Sequence, residues 1–236
     1  MQRYFSNIIE NSEYVLSSDD SYHIRKVMRM NLGDKIEIVD NKRVYICEID
    51  SLNPVKAKVV YELDERHENE KNIILVQSLV NENKMDFVLQ KGCELGVNEF
   101  YAFKAHNSVI KENDKSEKKI IRWQKIVKEA SEQSKRNIIP KVNKIVDIKG
   151  LCEIKADVKL LLTVNELTKN IKKVLNDLKK YDTMIIVVGP EGGFTPNEEE
   201  ILMENGFIST SLGSRVLRSE TAGMVAISMI NYEWMV

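Results

Sequence analysis

The N-terminal quarter of the chain alternates apolar and polar side chains in short runs, a pattern typical of β-strands with one covered face. Strands are predicted at Asp34–Val39, Val44–Ile49 and Val55–Leu63. Asp40-Asn41-Lys42 favours a tight turn between the first two of them. His23–Met30 predicts one short helix before them. Together these elements predict a small β-barrel.

A charged stretch, Asp64–Lys71, separates this region from one with a different periodicity. Dense apolar runs there predict strands buried in a parallel sheet, and amphipathic runs predict helices. The predicted strands are Asn72–Leu79, Phe100–Phe103, Val158–Thr163 and Thr183–Val188. The predicted helices are Lys84–Leu95, Lys115–Arg136 and Thr221–Met235. This alternation predicts an α/β domain, so we expect domains at residues 1–70 and 72–236.

Composition indicates a globular protein without a strong overall charge. Hydrophobic residues make up 43%, charged residues 30%, and the net charge is −1. Basic residues are nevertheless concentrated between Lys104 and Lys144, with 12 Lys and Arg against 5 Asp and Glu. Local patches of this kind bind phosphates, although a solvated helix of mixed charge explains the excess equally well.

The cysteines, histidines and apolar runs argue against several classes of protein. The three cysteines and three histidines are scattered without metal-ligand spacing, so we expect neither a disulfide framework nor a metal site. The N-terminus lacks the apolar core of a signal peptide, and no apolar run approaches the roughly 20 residues that span a membrane. Reduced thiols suit the cytoplasm, where we expect the protein to act without membrane contact.

The segment Val187–Glu198 places three glycines directly after a predicted buried strand. Glycines let backbone groups approach a ligand closely, and ligands of α/β sheets bind beyond the carboxyl ends of strands. Thr195, Pro196 and Glu198 have the spacing of a helix cap, a first helical residue and a capping box. A glycine-rich turn with no ligand is the simpler alternative, and neither a P-loop nor a dinucleotide fingerprint is present.

Leu212–Ala222 is a second segment of this kind, because it follows a strand-like stretch and opens the last helix. Ser219 can cap that helix and Glu220 suits its positive end. Helix capping does not explain Arg215 and Arg218. Two guanidinium groups beside a glycine loop indicate an anion site or the wall of a pocket.

Two further segments carry less specific signals. Glu129–Pro140 places charged residues at the end of the basic helix, where ordinary solvation accounts for them. In Lys91–Val97, Gly92 lies within a predicted helix, which costs about 1 kcal/mol relative to alanine. We therefore expect Gly92 to permit close packing.

In combination and in this order, these segments resemble the RsmE family, which methylates N3 of a uridine in 16S ribosomal RNA. The matching stretches read MQRYF, HIRKVMRM, KGCELGV, EASEQSKRNIIP, GPEGGF and LGSRVLRSETA, and they span nearly the whole chain. The last two are specific in combination.

The resemblance implies an α/β fold of two parts that spacing alone does not reveal. An N-terminal PUA-like RNA-binding β-barrel would precede a C-terminal SPOUT domain with a mostly parallel sheet and a deep trefoil knot. S-adenosylmethionine would bind in the knot as the cofactor. The small ribosomal subunit and its 16S RNA would be the substrate partner, and the protein would form a homodimer. The helix Thr221–Met235 is a candidate for part of the dimer interface.

The resemblance also implies site residues, carried over by matching position. The cofactor pocket would be lined by Thr163, Gly189, Glu191, Gly192, Gly193, Leu212, Gly213, Val216, Leu217, Arg218 and Thr221. RNA contacts would fall on Arg3, Arg25, Arg29, Lys84, Arg122 and Arg136. One position departs from the family, since many relatives carry arginine where this chain has Asn107. Either His106 or a nearby lysine supplies that charge, or the arginine is dispensable.

The implied reaction requires an aligned acceptor nitrogen and the removal of its proton. Arg136 is the candidate for stabilising negative charge that develops on the base. Glu94 or Glu132 is the candidate proton acceptor, with solvent as the alternative. The base must be unpaired, because N3 takes part in Watson–Crick pairing.

Three other functions are compatible with parts of this sequence. One is a related SPOUT enzyme that acts on transfer RNA or on another ribosomal site. A second is a non-catalytic RNA-binding or ribosome-assembly protein, which would bind RNA without the cofactor. The third is an α/β domain with no role in nucleic-acid chemistry.

Overall fold

The chain folds into two units, each with its own sheet. The computed structural model describes residues 1–108, 116–178 and 181–234. The first unit contains Met1–Glu68 and Ser131–Ile139, and the second contains Asn69–Ala130 and Pro140–Val236. The chain therefore enters the first unit twice, whereas the sequence pattern suggested a single boundary near residue 71.

The first unit is built on a mostly antiparallel six-stranded sheet, in the order β1-β4-β5-β6-β3-β2. Its strands are β1 (Arg3–Phe5), β2 (Ile9–Glu10), β3 (Glu13–Val15), β4 (Lys35–Asp40), β5 (Arg43–Leu52) and β6 (Val55–Leu63). Only β1 and β4 run parallel. Asn41 and Lys42 have φ values of 47° and 68°, which gives the predicted tight turn between β4 and β5.

The core of this unit lies under one face of the sheet. Its buried members are Tyr4, Tyr14, Leu16, Ile24, Ile36, Ile38, Cys47, Ile49, Val55 and Ala57. Alternate residues of β4 and β5 supply this face, as the period of two requires. The barrel-like sheet expected from the sequence is confirmed.

The helical region of this unit begins earlier than predicted. Helix α1 (Ser18–Tyr22) is followed at once by a π-helical turn, His23–Val27. The Ser17 side chain accepts a hydrogen bond from the backbone N–H of Asp20 and so starts α1. Arg29 has a φ of +55°, which ends the helical conformation before Met30. The single helix predicted at His23–Met30 is therefore wrong in both its start and its end.

The second unit is an α/β structure with a fully parallel sheet, in the order β12-β10-β11-β7-β8-β9. Its strands are β7 (Asn72–Ser78), β8 (Glu99–Phe103), β9 (Lys141–Val142), β10 (Val158–Leu162), β11 (Thr183–Val188) and β12 (Ile208–Thr210). The helices that follow α1 are α2 (Glu82–Glu94), α3 (Ser116–Gln133), α4 (Ile148–Cys152), α5 (Ile171–Asp177), α6 (Pro196–Glu204) and α7 (Ser219–Trp234). The fold class expected from the sequence is confirmed.

The central strand β11 is covered on both faces, which explains its continuous run of apolar residues. Residues 184–188 are at most 2% exposed. Ile185 and Val187 belong to a core cluster with Leu202 of α6 and Phe207. On the opposite face, a Cβ added at Gly223 of α7 would lie 3.4 Å from Val188. Among the described residues, no helix is long and apolar enough to cross a membrane.

Helix α2 approaches β8 closely because Gly92 has no side chain. A Cβ at this position would lie 2.7 Å from Cε1 of Phe100, whose side chain is buried. The close packing expected at Gly92 is therefore confirmed.

Replacing Gly92 with alanine should destabilise the second unit. Overpacking of this kind costs about 1–3 kcal/mol, whereas alanine gains roughly 1 kcal/mol of helix propensity over glycine. Urea unfolding should give a lower midpoint for Gly92→Ala than for the parent. The loss should shrink in a Phe100→Leu background, which removes the ring that the new methyl group meets. An equal or higher midpoint for Gly92→Ala alone would contradict this packing.

Candidate functional site

A deep cleft opens where three parallel strands of the second unit end. The loops that follow β10, β11 and β12 line it, together with Lys84 of α2, and its volume is about 1190 Å³. Parallel strands place their carboxyl ends at one edge of a sheet, which is where α/β proteins bind ligands. A cleft of this size accommodates a ligand as large as a nucleoside with a long substituent.

The loop after β11 supplies glycine backbone to the cleft, together with the side chain of Glu191. Gly193 has a φ of +70°, a conformation that L side chains rarely adopt. The loop ends at α6, where Thr195 and Glu198 form the predicted capping box with Pro196 at the helix start. The second carboxylate oxygen of Glu198 accepts the backbone N–H of His106 at 2.8 Å. These hydrogen bonds fix the end of the loop, where α6 begins.

The Ser219 hydroxyl joins the start of α7 to this loop. It donates to the carbonyl oxygen of Gly189 at 2.5 Å and accepts from Nε2 of Gln77 at 2.8 Å. Gln77 and Ser219 are both buried. Ser219 was predicted to cap the last helix, and that prediction is wrong. Its hydroxyl instead connects the ends of β7 and β11 with the first turn of α7.

Lys84 lies in the cleft between two carboxylates. Its Nζ is 2.5 Å from Oε1 of Glu191 in the glycine loop and 3.3 Å from Oε2 of Glu220 in α7. The hydrogen bond to Glu191 raises the pKa of Lys84 above its usual value, and Glu220 adds to the effect. The ammonium group therefore stays charged at neutral pH, with its charge compensated locally.

Carboxylates also order the loop after β10. Glu199 accepts hydrogen bonds from Oγ1 of Thr163 at 2.5 Å and from Nδ2 of Asn165. Backbone N–H groups of Thr168 and Lys169 lower the pKa of Glu166 to about 2. Both acidic residues line the cleft. Within residues 1–108, 116–178 and 181–234, no cluster of three or more Asp, Glu, His or Cys side chains could hold a metal ion.

Asn107 supports the glycine loop from the segment that follows β8. Its Nδ2 donates to the carbonyl oxygens of Gly192 at 3.3 Å and Gly193 at 3.1 Å. A Cβ added at Gly192 would lie 3.1 Å from the Cβ of Asn107. This position, where many relatives were expected to carry arginine, thus contacts the loop directly. Of the lysines near this position, Lys111 lies outside the described residues.

Most of the residues expected to bind the cofactor come together in this cleft. Those that line it are Thr163, Gly189, Glu191, Gly192, Gly193, Leu212, Gly213, Val216, Leu217 and Arg218. Thr221 does not line it, because it lies one turn into α7, where its backbone N–H donates to the carbonyl of Arg218. Asn165, Glu166 and Glu199 also line the cleft, although no sequence motif points to them. The only available signal was their position just after a buried strand or a capping threonine.

The three residues expected to be catalytic do not share one site within the second unit. Glu94 ends α2, pairs with Lys91 at 2.8 Å and does not line the cleft. Glu132 and Arg136 belong to the first unit. Arg136 is 3% exposed, and its guanidinium binds both carboxylate oxygens of Glu68, at 3.2 and 2.5 Å.

Arg3, expected to contact RNA, is instead fully buried in the first unit. Its Nε lies 2.7 Å from Glu37 and its Nη2 lies 2.9 Å from Glu65. Its Nη1 donates to the carbonyl oxygens of Lys135 and Arg136. The expected RNA contact does not fit this placement, because every guanidinium nitrogen is engaged within the unit.

The other residues expected to contact RNA differ in how far they are engaged. Arg122 pairs with Asp86 and Glu82, at 2.9 and 3.1 Å from Nη1. Arg25 donates from Nε to the carbonyl oxygen of Ser21 at 3.1 Å. Arg29 is exposed.

Comparison with known proteins places both units among RNA methyltransferases. Residues 67–231 match the RNA methyltransferase domain family, and residues 16–60 match the RNA methyltransferase PUA domain family. The chain is 35% identical to the ribosomal RNA small subunit methyltransferase E of Bacillus subtilis, over 99% of this chain and 97% of that protein.

Solved structures with bound cofactor are similar over the full length. The ribosomal RNA small subunit methyltransferase E of Neisseria gonorrhoeae, bound to S-adenosyl methionine, has 30% identity and a TM-score of 0.88, with 99% and 98% of the chains covered. A methyltransferase from Legionella pneumophila in complex with SAM has 27% identity and a TM-score of 0.89, with 98% and 97% covered.

Replacing Ser219 with alanine should lower the stability of the second unit at the base of the cleft. The change leaves the Gly189 carbonyl and the Gln77 amide without their shared partner, and a buried polar group left unpaired costs about 1–3 kcal/mol. Chemical denaturation should show this loss. Ser228→Ala is the matched control, because Ser228 lies on the same helix, is exposed and donates to the carbonyl of Met224 in its own helix. Equal stability of the two variants would contradict the bridging role.

Proposed function

The chain belongs to the ribosomal RNA small subunit methyltransferase E family, and from that membership we propose that it transfers methyl groups from S-adenosylmethionine to 16S ribosomal RNA. We propose further that N3 of a uridine is the acceptor. The observation that carries the proposal is the cleft at the ends of β10, β11 and β12, which the expected cofactor residues line.

The chain's own residues fit this cofactor. Gly192 leaves open the space that a side chain would fill beside Asn107. Backbone N–H and C=O groups of the glycine loop suit the hydrogen-bonding edges of adenine and ribose, and Leu212 and Leu217 provide apolar walls. Carboxylates lining the cleft can accept from an amino group. These features match the mixed apolar and polar chemistry of small-molecule sites.

When bound, the cofactor supplies a methyl group already activated by its sulfonium. The protein must then align the acceptor nitrogen, and alignment contributes up to roughly 7–11 kcal/mol in favourable cases. We propose that Arg136 stabilises negative charge on the base. Its pairing with Glu68 means that the guanidinium acts only if part of that ion pair opens.

A proton must also leave N3 of the uridine. Glu132 and Glu94 remain the proposed acceptors, with solvent as the alternative. Glu94 already accepts the ammonium of Lys91, and neither Glu94 nor Glu132 lines the cleft, which favours solvent.

We also propose that the protein acts in the cytoplasm as a homodimer, with the first unit binding RNA. Helix α7 supports the dimer, because it exposes 39% of Met229 and 78% of Tyr232. Exposed apolar side chains on a helix favour association with a second surface. The trefoil knot remains a prediction from the family resemblance.

The purified protein should bind S-adenosylmethionine in calorimetry and methylate small ribosomal subunits that lack the modification. Mass mapping should locate the product at N3 of one uridine in 16S RNA. Gly192→Val should abolish cofactor binding, because its side chain would crowd Asn107 and enter the cleft. Circular dichroism of the variant checks that the fold is retained. Absence of binding heat for the parent, or unimpaired binding by a folded Gly192→Val, would overturn the site.

Replacing Arg136 with alanine should lower methyl transfer tenfold or more, about 1.4 kcal/mol, with little change in cofactor affinity. Glu68→Gln is the matched control, since it breaks the same ion pair but keeps the arginine. Transfer by Glu68→Gln should therefore persist. Equal losses in both variants would assign Arg136 a structural role, and full turnover by Arg136→Ala would remove it from the mechanism.

A further inference from the structure

Three cationic side chains line the cleft, and they differ in how their charge is compensated. Lys84 lies between Glu191 and Glu220, within 2.5 and 3.3 Å of their carboxylates. Arg215 and Arg218 also line the cleft, and both are exposed. Neither arginine has an ion pair or a side-chain hydrogen bond with any residue that the structure describes. Their charges are therefore available to an anionic ligand.

The loop that carries these arginines contains no acidic residue. Residues 209–219 include two arginines and no aspartate or glutamate. Between the arginines, Val216 is 80% exposed, so this part of the loop faces solvent. Two uncompensated guanidinium groups three residues apart form a local positive patch, and such patches concentrate anions at a surface.

The proposed reaction determines which anion must arrive here. A nucleotide whose base enters the cleft brings its own flanking phosphates to the rim of that cleft. Guanidinium groups bind phosphate oxygens through paired N–H donors. We propose that Arg215 and Arg218 bind the phosphates that flank the target nucleotide, which makes the loop after β12 part of the RNA-binding surface.

This assignment differs from the one implied by the family resemblance, which placed Arg218 in the cofactor pocket and the RNA contacts on other residues. Arg3 is buried, and Arg122 and Lys84 are already paired with carboxylates. A paired cation must give up its partner before it gains a phosphate, whereas Arg215 and Arg218 have none to lose. The alternative ligand for these arginines is the carboxylate of the cofactor, and binding measurements separate the two.

The inference rests on the proposed function, and its test keeps the two apart. The parent, Arg215→Ala and the Arg215→Ala/Arg218→Ala double variant are compared for binding to unmodified small ribosomal subunits at several salt concentrations. Log affinity falls as log salt concentration rises. Each lost phosphate contact to a single strand should make this negative slope shallower by about 0.7. Affinity for S-adenosylmethionine, measured by calorimetry without RNA, should not change for Arg215→Ala.

Two further variants control for charge and for geometry. Lys172→Ala removes one positive charge from an exposed position on α5, outside the cleft lining, and should leave the slope unchanged. Arg215→Lys keeps the charge, so its slope of log affinity against log salt should stay close to that of the parent. The inference is overturned if Lys172→Ala makes the slope shallower by as much as Arg215→Ala does. It is also overturned if Arg215→Ala weakens cofactor binding while the RNA slope is unchanged. Failure of the parent to methylate would instead contradict the proposed function.

Discussion

The parallel arrangement of β10, β11 and β12 is the constraint from which the cleft arises. Because these three strands run in one direction, their following loops gather at one edge of the sheet. The central strand β11 is fixed by burial on both faces, with residues 184–188 almost completely inaccessible. The loops are therefore free to differ in composition without disturbing the sheet. One supplies glycine backbone, one supplies polar side chains, and one supplies arginines.

Hydrogen bonds then give these loops a fixed shape. Ser219 connects the glycine loop with β7 and the start of α7, and Asn107 supports the same loop from the end of β8. Charge is distributed unevenly around the cleft. Two neighbouring carboxylates compensate the charge of Lys84, whereas the charges of Arg215 and Arg218 have no such partner among the described residues. A site that must hold a small molecule and also receive a polyanion needs both arrangements. Preorganised groups suit the first ligand, and uncompensated charge attracts the second.

Features encoded by neighbouring residues were predictable from the sequence. The turn at Asn41 and Lys42 and the capping box of Thr195 and Glu198 depend on contacts within a few positions, and the apolar run of β11 is visible in the sequence itself. Most of the expected cofactor residues do line one cleft. That expectation came from the family resemblance, because periodicity and capping rules say nothing about which distant residues meet.

Features that depend on distant partners were not predictable. The hydroxyl of Ser219 bonds to a residue 142 positions away, so local capping rules gave it the wrong role. Arg3 reads as an exposed basic residue near the N-terminus, and only the fold reveals the carboxylates and carbonyls that bury it. The assignment of Ser131–Ile139 to the first unit has no counterpart in hydrophobic periodicity, because that segment simply continues a helix pattern.

The burial of Arg3 also has a consequence for how the protein is made. Its guanidinium donates to the carbonyl oxygen of Lys135, which the ribosome adds 132 residues later. At about 5–20 residues per second, this acceptor is synthesised roughly 7–26 s after the arginine. A nascent chain that ends at the first interdomain stretch lacks two of the acceptors that bind this guanidinium. A gene fragment that encodes the N-terminal sheet alone would therefore leave Arg3 without the carbonyl oxygens of Lys135 and Arg136.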